Sequence, residues 1–430
     1  MRRTVSSVAR LGLLAACAAS AACGTRQPAA EAPGPEPVRV SGETCPSPIA
    51  SANATITSAL GESSSPVVAF DGEEFTLAWW DMRGKFPAIS TMRVDRAGAP
   101  LTPFASLPHD GVAKEQTIAV DGAETHVVWM DETAVKSARL PAAAESPVKY
   151  ADRASAAAAG PRGAVAWVER GVLYFRTDAM LLPPDRKGVR AEPQPTQVAA
   201  GGIEDPRVAW NGEQFAVVWS ASVAGGRQIV MQRLSHAGKR IGGQVKVSDT
   251  AGVSRNPEVA AMPGGFAVAW TNDAPQESNK HDYFWIFFAR VGEHGDAPAF
   301  ARQLEFNTTA DHVAIAAAGA ELGLAWVGSK EPMGSAVFFA RLDTDGKPLG
   351  AAVRVSDDKP ITCGGPSLAF AGDGYGVAWH DDRSQTGSQI LFSFLKCGEA
   401  GEAEASDAGA PPEPPPAAEP AEPKLKKLFE

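Results

Sequence analysis

The chain has 430 residues and a formal net charge of −10, and residues 398–430, with eight acidic against three basic side chains, carry about half of it. The rest is only mildly acidic, which excludes the strongly basic face of a nucleic-acid-binding protein. Five cysteines and seven histidines form no Cys-x-x-Cys and no histidine pair at ligand spacing, so neither a zinc site nor a thiol redox centre is expected.

The first element is a leader. Met1-Arg2-Arg3 and Arg10 precede Leu11 to Cys23, a run of apolar and small residues. A basic start, a short apolar stretch and small residues describe a secretory signal peptide. The stretch is too short to span a bilayer, which takes about 20 apolar residues. Leu14-Ala15-Ala16-Cys17 resembles the lipobox of bacterial lipoproteins, whose cysteine is lipidated and becomes the new N-terminus. Cys23 competes: it allows a longer apolar region but has Ser20 where the lipobox usually has Leu. Lipidation is expected at Cys17 or Cys23, with membrane contact through that lipid. The next residue is Ala18 or Gly24 rather than Asp, which by analogy with Gram-negative sorting points to the outer membrane of a Gram-negative host. Residues 24–44 are rich in Pro, Ala and Glu and read as a disordered tether.

A repeat follows. Trp79, Trp129, Trp167, Trp219, Trp270, Trp326 and Trp379 return at a spacing of about fifty residues, the mark of a blade array. Each closes an alternating apolar run such as Phe215-Ala-Val-Val-Trp219. Before that run comes another, ending in a turn such as Asp71-Gly72, Asp121-Gly122 or Asn211-Gly212, a strong hairpin signal. A third run ends in Arg-apolar, as in Arg93-Val94, Arg233-Leu234 and Arg341-Leu342, and a short fourth follows, as in Val245 to Ser248. Four antiparallel strands per repeat describe an all-β, seven-bladed β-propeller. The tryptophans read as structural, each packing on the neighbouring blade with the residues two and four before it. Burying one contributes at most roughly 4–6 kcal/mol. The third copy is the poorest, with the alanine-rich Ala154 to Gly160, and leaves six blades open.

The last copy lacks a fourth strand. Residues 56–66 line up with 247–257, so a strand near Ala52 to Ser58 should complete the last blade and close the ring. That places Cys45 near Cys397, and a Cys45–Cys397 disulfide is expected as a clasp, with Cys363–Cys397 second. The propeller is bounded at 45–397, after the signal peptide (1–23) and tether (24–44). Residues 398–430 form a disordered Pro/Ala/Glu-rich tail, whose basic end, Lys424 to Phe429, reads as solvated. Over most of 45–397 the chain resembles bacterial secreted β-propeller lipoproteins with Trp-x-Asp-type repeats. It departs from the WD-repeat pattern, in which the Trp-Asp pair ends a later strand and a Gly-His pair is expected. The resemblance implies the fold and little about function.

Chemistry is sparse. The loop after the repeated Trp is the most polar recurring feature: Trp79-Trp80-Asp81-Met82-Arg83 in the first copy, Trp379-His380-Asp381-Asp382-Arg383 in the last, and Asp131 in the second. Asp81, Arg83, Asp131, His380, Asp381 and Arg383 are the ligand-face candidates, set against local pairing that merely braces the loop. Asp343-Thr-Asp345-Gly346 begins like a calcium loop but lacks the distal Glu and sits at a hairpin turn, so no metal is expected. The insertion from Asn272 to Tyr283 is a candidate partner-contact loop. No phosphate loop, no nucleophile elbow and no Asp-box of the sialidases is present, so no catalytic residue and no cofactor is assigned. The reading is a monomeric, lipid-anchored propeller of the cell envelope that binds a protein or glycan without catalysis. A carbohydrate-active hydrolase using the Trp-x-Asp loop face is the alternative.

Overall fold

The computed structural model describes residues 48–57, 61–140, 148–151, 154–180, 194–273, 284–296, 298, 301–306, 309–330, 334–357, 364–383 and 387–397. Contacts separate Met1–Glu36, outside these residues, from Pro37–Glu430, which carries everything below. The Asn272–Tyr283 insertion lies almost wholly outside the described residues, as do both candidate lipidation cysteines.

Seven antiparallel sheets follow one another along the chain; six have four strands in sequence order, and the last combines three late strands with two from the N-terminal segment. Blade 4 shows the pattern best, with Ile203–Trp210, Gln214–Val223, Gly226–Ser235 and Arg240–Lys246. Its second strand explains why an alternating sequence makes a ring. Phe215, Val217 and Trp219 point to one side and pack with Ala164, Leu173 and Phe175 of blade 3. Ala216 and Val218, on the other side, pack with Phe266, Val268 and Trp270 of blade 5. A period of two puts successive residues on opposite faces, so one strand serves two interfaces.

All seven repeated tryptophans are buried, Trp167 being the most exposed at 3%. Each sits in the apolar cluster that joins its blade to the preceding one: Trp79 meets Phe392 and Phe394 of blade 7, and Trp379 meets Val337 and Phe339 of blade 6.

The weak third copy is a full blade: Ala156–Gly160, Ala164–Glu169, Val172–Arg176 and Thr196–Ala200. Its small residues have a packing reason. A Cβ on Gly160 would come within 2.5 Å of the Val208 side chain in blade 4. Blade count is therefore seven, not six.

The ring closes as the alignment requires. Ala54–Thr55 pairs with Phe392 and Leu391 in the third strand of blade 7, Gln389–Cys397. The Ile390 amide then donates to Thr57 Oγ1 at 2.9 Å. Closure also extends upstream of the expected segment: Pro48–Ala50 pairs with Cys397, Lys396 and Leu395. Ser51 bridges the break, its Oγ accepting from the Phe394 amide at 3.0 Å. The N-terminal segment thus supplies the missing outer strand and leaves no open blade edge at the junction. Among the described residues no helix is long and apolar enough to cross a membrane.

Candidate functional site

In blade 1, Ser63 at the start of the first strand pairs with Asp81 at the end of the second. The Trp-x-Asp loops therefore share one face with the segments that lead into the first strands. Those first strands line a central cavity of about 410 Å³, to which all seven blades contribute.

The six candidates on this face divide in two. Asp81 and Arg83 pair with each other: the Asp81 carboxylate takes the guanidinium through Nε at 2.8 Å and through Nη2, the Arg83 amide at 3.0 Å, and the Ser90 hydroxyl at 2.9 Å. Burial opposes the charge of Asp81, but these donors hold its pKa below the ordinary value. Asp381 and Arg383 repeat the arrangement, and Arg383 Nη1 also reaches Asp357 at 2.6 Å. Asp131 accepts from Lys136 at 2.7 Å, from the amides of Asp110, Thr133 and Ala134, and from the Thr133 hydroxyl. Burial again opposes its charge, yet these donors place its carboxyl far below the usual range. In all three loops the carboxylate is buried and its lone pairs are taken.

His380 is different. It stands between blades 7 and 1, its Nε2 accepting from the Gly364 amide at 2.9 Å and its Nδ1 lying 3.3 Å from the Ser65 amide. Burial depresses its pKa, so the neutral ring is favoured. It is the one candidate that reaches the cavity lining, since Gly364 and Ser65 both line it.

A recurring feature at the cavity mouth carries no motif. Ser65, Glu115, Asp205, Asn256 and His312 all have φ near +50°. They occupy the same point of the first strand in blades 1, 2, 4, 5 and 6, where each ladder shifts register: between Ser64 and Val67, Lys114 and Thr117, Glu204 and Arg207, Arg255 and Glu258, and Asp311 and Val313. Each is a bulge, which redirects the strand and its side chains. Blades 3 and 7 pair without one. Left-handed backbone at a non-glycine residue is uncommon, although Asn, Asp and His tolerate it best. Ser65, Asp205 and Asn256 also precede proline, a position pushed towards extended backbone. The pattern Ser-Pro, Asp-Pro, Asn-Pro is visible in the sequence, but its ordinary reading is an extended strand start, so the ring of bulges is a tertiary finding.

Charge gathers behind the bulges. Arg207 Nε donates to Glu258 at 2.6 Å, and about a third of each side chain remains accessible (32% and 27%) while both line the cavity. Burial raises the Glu258 pKa against the opposing pull of Arg207. Burial likewise raises Glu115, helped by Asp205 nearby and opposed by Lys114. Asp311 and His312 form a pair at 3.0 Å that lowers the acid and raises the base. Among the described residues no cluster of three His, Cys, Asp or Glu is suited to a metal ion.

Fold and site together define the class of protein: a closed seven-bladed β-propeller with a charged central channel. No family model matches the chain, and no curated protein matches it. Among solved structures it is similar to a Dyadobacter fermentans protein of unknown function, at 12% identity over 80% of this chain and 98% of that one (TM-score 0.49). It is also similar to the β-propeller domain of the trilobed protease from Pyrococcus furiosus, at 10% identity over 78% and 95% (TM-score 0.44). Trypanosoma rangeli sialidase gives 10% identity, 78% of this chain and 55% of that one, with a TM-score of 0.42. Likenesses this distant carry no functional inference.

Proposed function

We propose that the chain is a non-catalytic propeller of the cell envelope that recognises a group on a protein or glycan at the mouth of its central channel. The observation carrying this reading is the 410 Å³ cavity with the Arg207–Glu258 pair in its wall, a volume within the usual range for ligand sites. The Trp-loop acids Asp81, Asp131 and Asp381 support binding over hydrolysis, because each is buried and saturated by hydrogen bonds, which leaves no carboxylate there free for proton transfer. The test is capture of a partner from envelope extracts by the wild-type protein and by Val67→Trp, which fills the cavity wall. Capture lost in the variant, with unchanged thermal unfolding, supports the channel. Glycoside turnover that disappears in Glu258→Gln overturns the non-catalytic reading in favour of the hydrolase.

Lipidation at Cys17 or Cys23 and an outer-membrane location belong to the same proposal. Its support is the leader sequence alone, and intact-mass analysis of the membrane fraction reads the acylated cysteine directly. The clasp joins Cys45 to Cys397. Pro48, three residues after Cys45, pairs with Cys397. Non-reducing peptide mapping is expected to recover the Cys45–Cys397 peptide; a Cys363–Cys397 peptide sinks the clasp.

A further inference from the structure

The chemistry of the channel mouth narrows what it takes. Four carboxylates, Glu115, Asp205, Glu258 and Asp311, face two permanent cations, Lys114 and Arg207, and one histidine, His312. Three acids have direct partners: Glu258 with Arg207 at 2.6 Å, Asp311 with His312 at 3.0 Å, and Glu115 with Lys114 at 3.7 Å. Among the described residues Asp205 has no such ion pair. The contact recorded for its carboxylate is the Asn256 amide, at 3.4 Å. Asn256 lines the cavity together with Arg207 and Glu258, so this contact places Asp205 at its rim, near enough to influence the charge of Glu115, Glu258, Arg207 and His312.

A second observation is independent of charge. Gln116 lines the same cavity, is 5% exposed, and spends its amide nitrogen on the Ser65 carbonyl. Its Oε1 has no hydrogen-bond partner. A buried acceptor left unpaired is costly, and a ligand bearing N–H groups is the complement it lacks. An acidic surplus beside an unpaired acceptor selects a positively charged donor. Neither a phosphate nor a carboxylate would gain there, because Arg207 is already engaged by Glu258.

Resting on the channel reading above, we propose that the mouth binds an organic cation, a primary amine or a guanidinium, with Asp205 as its counter-charge and Gln116 Oε1 as an acceptor. The group could be carried by a peptide side chain or by an amino sugar. Such a site, open to solvent at its rim, should weaken as salt rises.

The experiment is titration calorimetry on the full chain in detergent, with argininamide, glucosamine and N-acetylglucosamine as probes. The last two share a ring and differ in the charge on nitrogen. Argininamide or glucosamine should bind, and whichever is tighter identifies the source; N-acetylglucosamine should bind at least tenfold more weakly. Asp205→Asn, which keeps a residue tolerant of left-handed backbone, should lower the affinity of the cation at least tenfold. Asp205→Lys should abolish binding. Absence of binding by both cations overturns the proposal, as does affinity unchanged in Asp205→Asn. If N-acetylglucosamine binds as well as glucosamine and Val67→Trp blocks it, the charge class is wrong but the channel reading stands. If no probe binds and partner capture is indifferent to Val67→Trp, both fall.

Discussion

The Trp-x-Asp loops and the channel mouth lie on the same face of the propeller and are both rich in carboxylates, yet they are built in opposite ways. In the loops each acid is buried and surrounded by donors from its own turn and from neighbouring segments of the same blade, so the charge closes on itself and stiffens the blade. At the mouth the acids sit on or beside left-handed bulges and share too few cations, and Glu258 lines the cavity. Conspicuous polar sequence marks the first region, while unsatisfied chemistry marks the second. A carboxylate is available for recognition only where the fold has not already spent its lone pairs.

Three measurements can break or sharpen this contrast. The largest effect is expected at Asp131. Asp131→Ala leaves the nearly buried Lys136 with only Asp110 and deprives the Asp110, Thr133 and Ala134 amides of their acceptor. Breaking a buried pair from one side should cost about 3 kcal/mol in urea unfolding; a loss below about 0.5 kcal/mol, as at an ordinary surface site, would deny the loop its bracing role.

The next effect has the opposite sign. Ser65 is exposed and held at φ 52°, so Ser65→Gly should raise stability by about 0.5–1 kcal/mol. A destabilised variant would show that the bulge is not under strain.

The smallest effect is that of pH. Burial depresses His126 and His380, so their folded forms are neutral and the unfolded chain takes up protons first. Their stabilising contribution is complete above the ordinary histidine value near 6.5 and is lost as pH falls below it towards the depressed values. His312 is raised by its bond to Asp311, so its contribution is complete below that ordinary value and is lost as pH rises through the raised one. Two groups oppose one, and melting temperature should fall by a few degrees between pH 7.5 and 5.5. In His380→Gln that fall should shrink; an unchanged fall would remove His380 from the account.

Legibility followed the same division. The second strands could be read because Trp219 and Phe215 recur with a period of two, and the closing strand because Ile56 to Pro66 repeats the junction at Val247 to Pro257. The mouth could not be read. Nothing in Glu115-Gln116 or His312-Val313 announces a bulge, and Ser65-Pro66 reads as extended. Of the six residues singled out in the Trp loops, His380 alone contacts the cavity lining, because its neighbours in space, Ser65 and Gly364, come from other parts of the chain.

The sequence by itself left the blade count at six or seven, and determined the strand pattern within each blade and the need for an N-terminal strand. Those are consequences of hydrophobic periodicity and turn residues, which act over a few positions. Only the tertiary structure decided which charges are spent and which remain. That depends on partners such as Arg207 and Glu258, 51 residues apart, brought to 2.6 Å by the packing of blade 5 against blade 4.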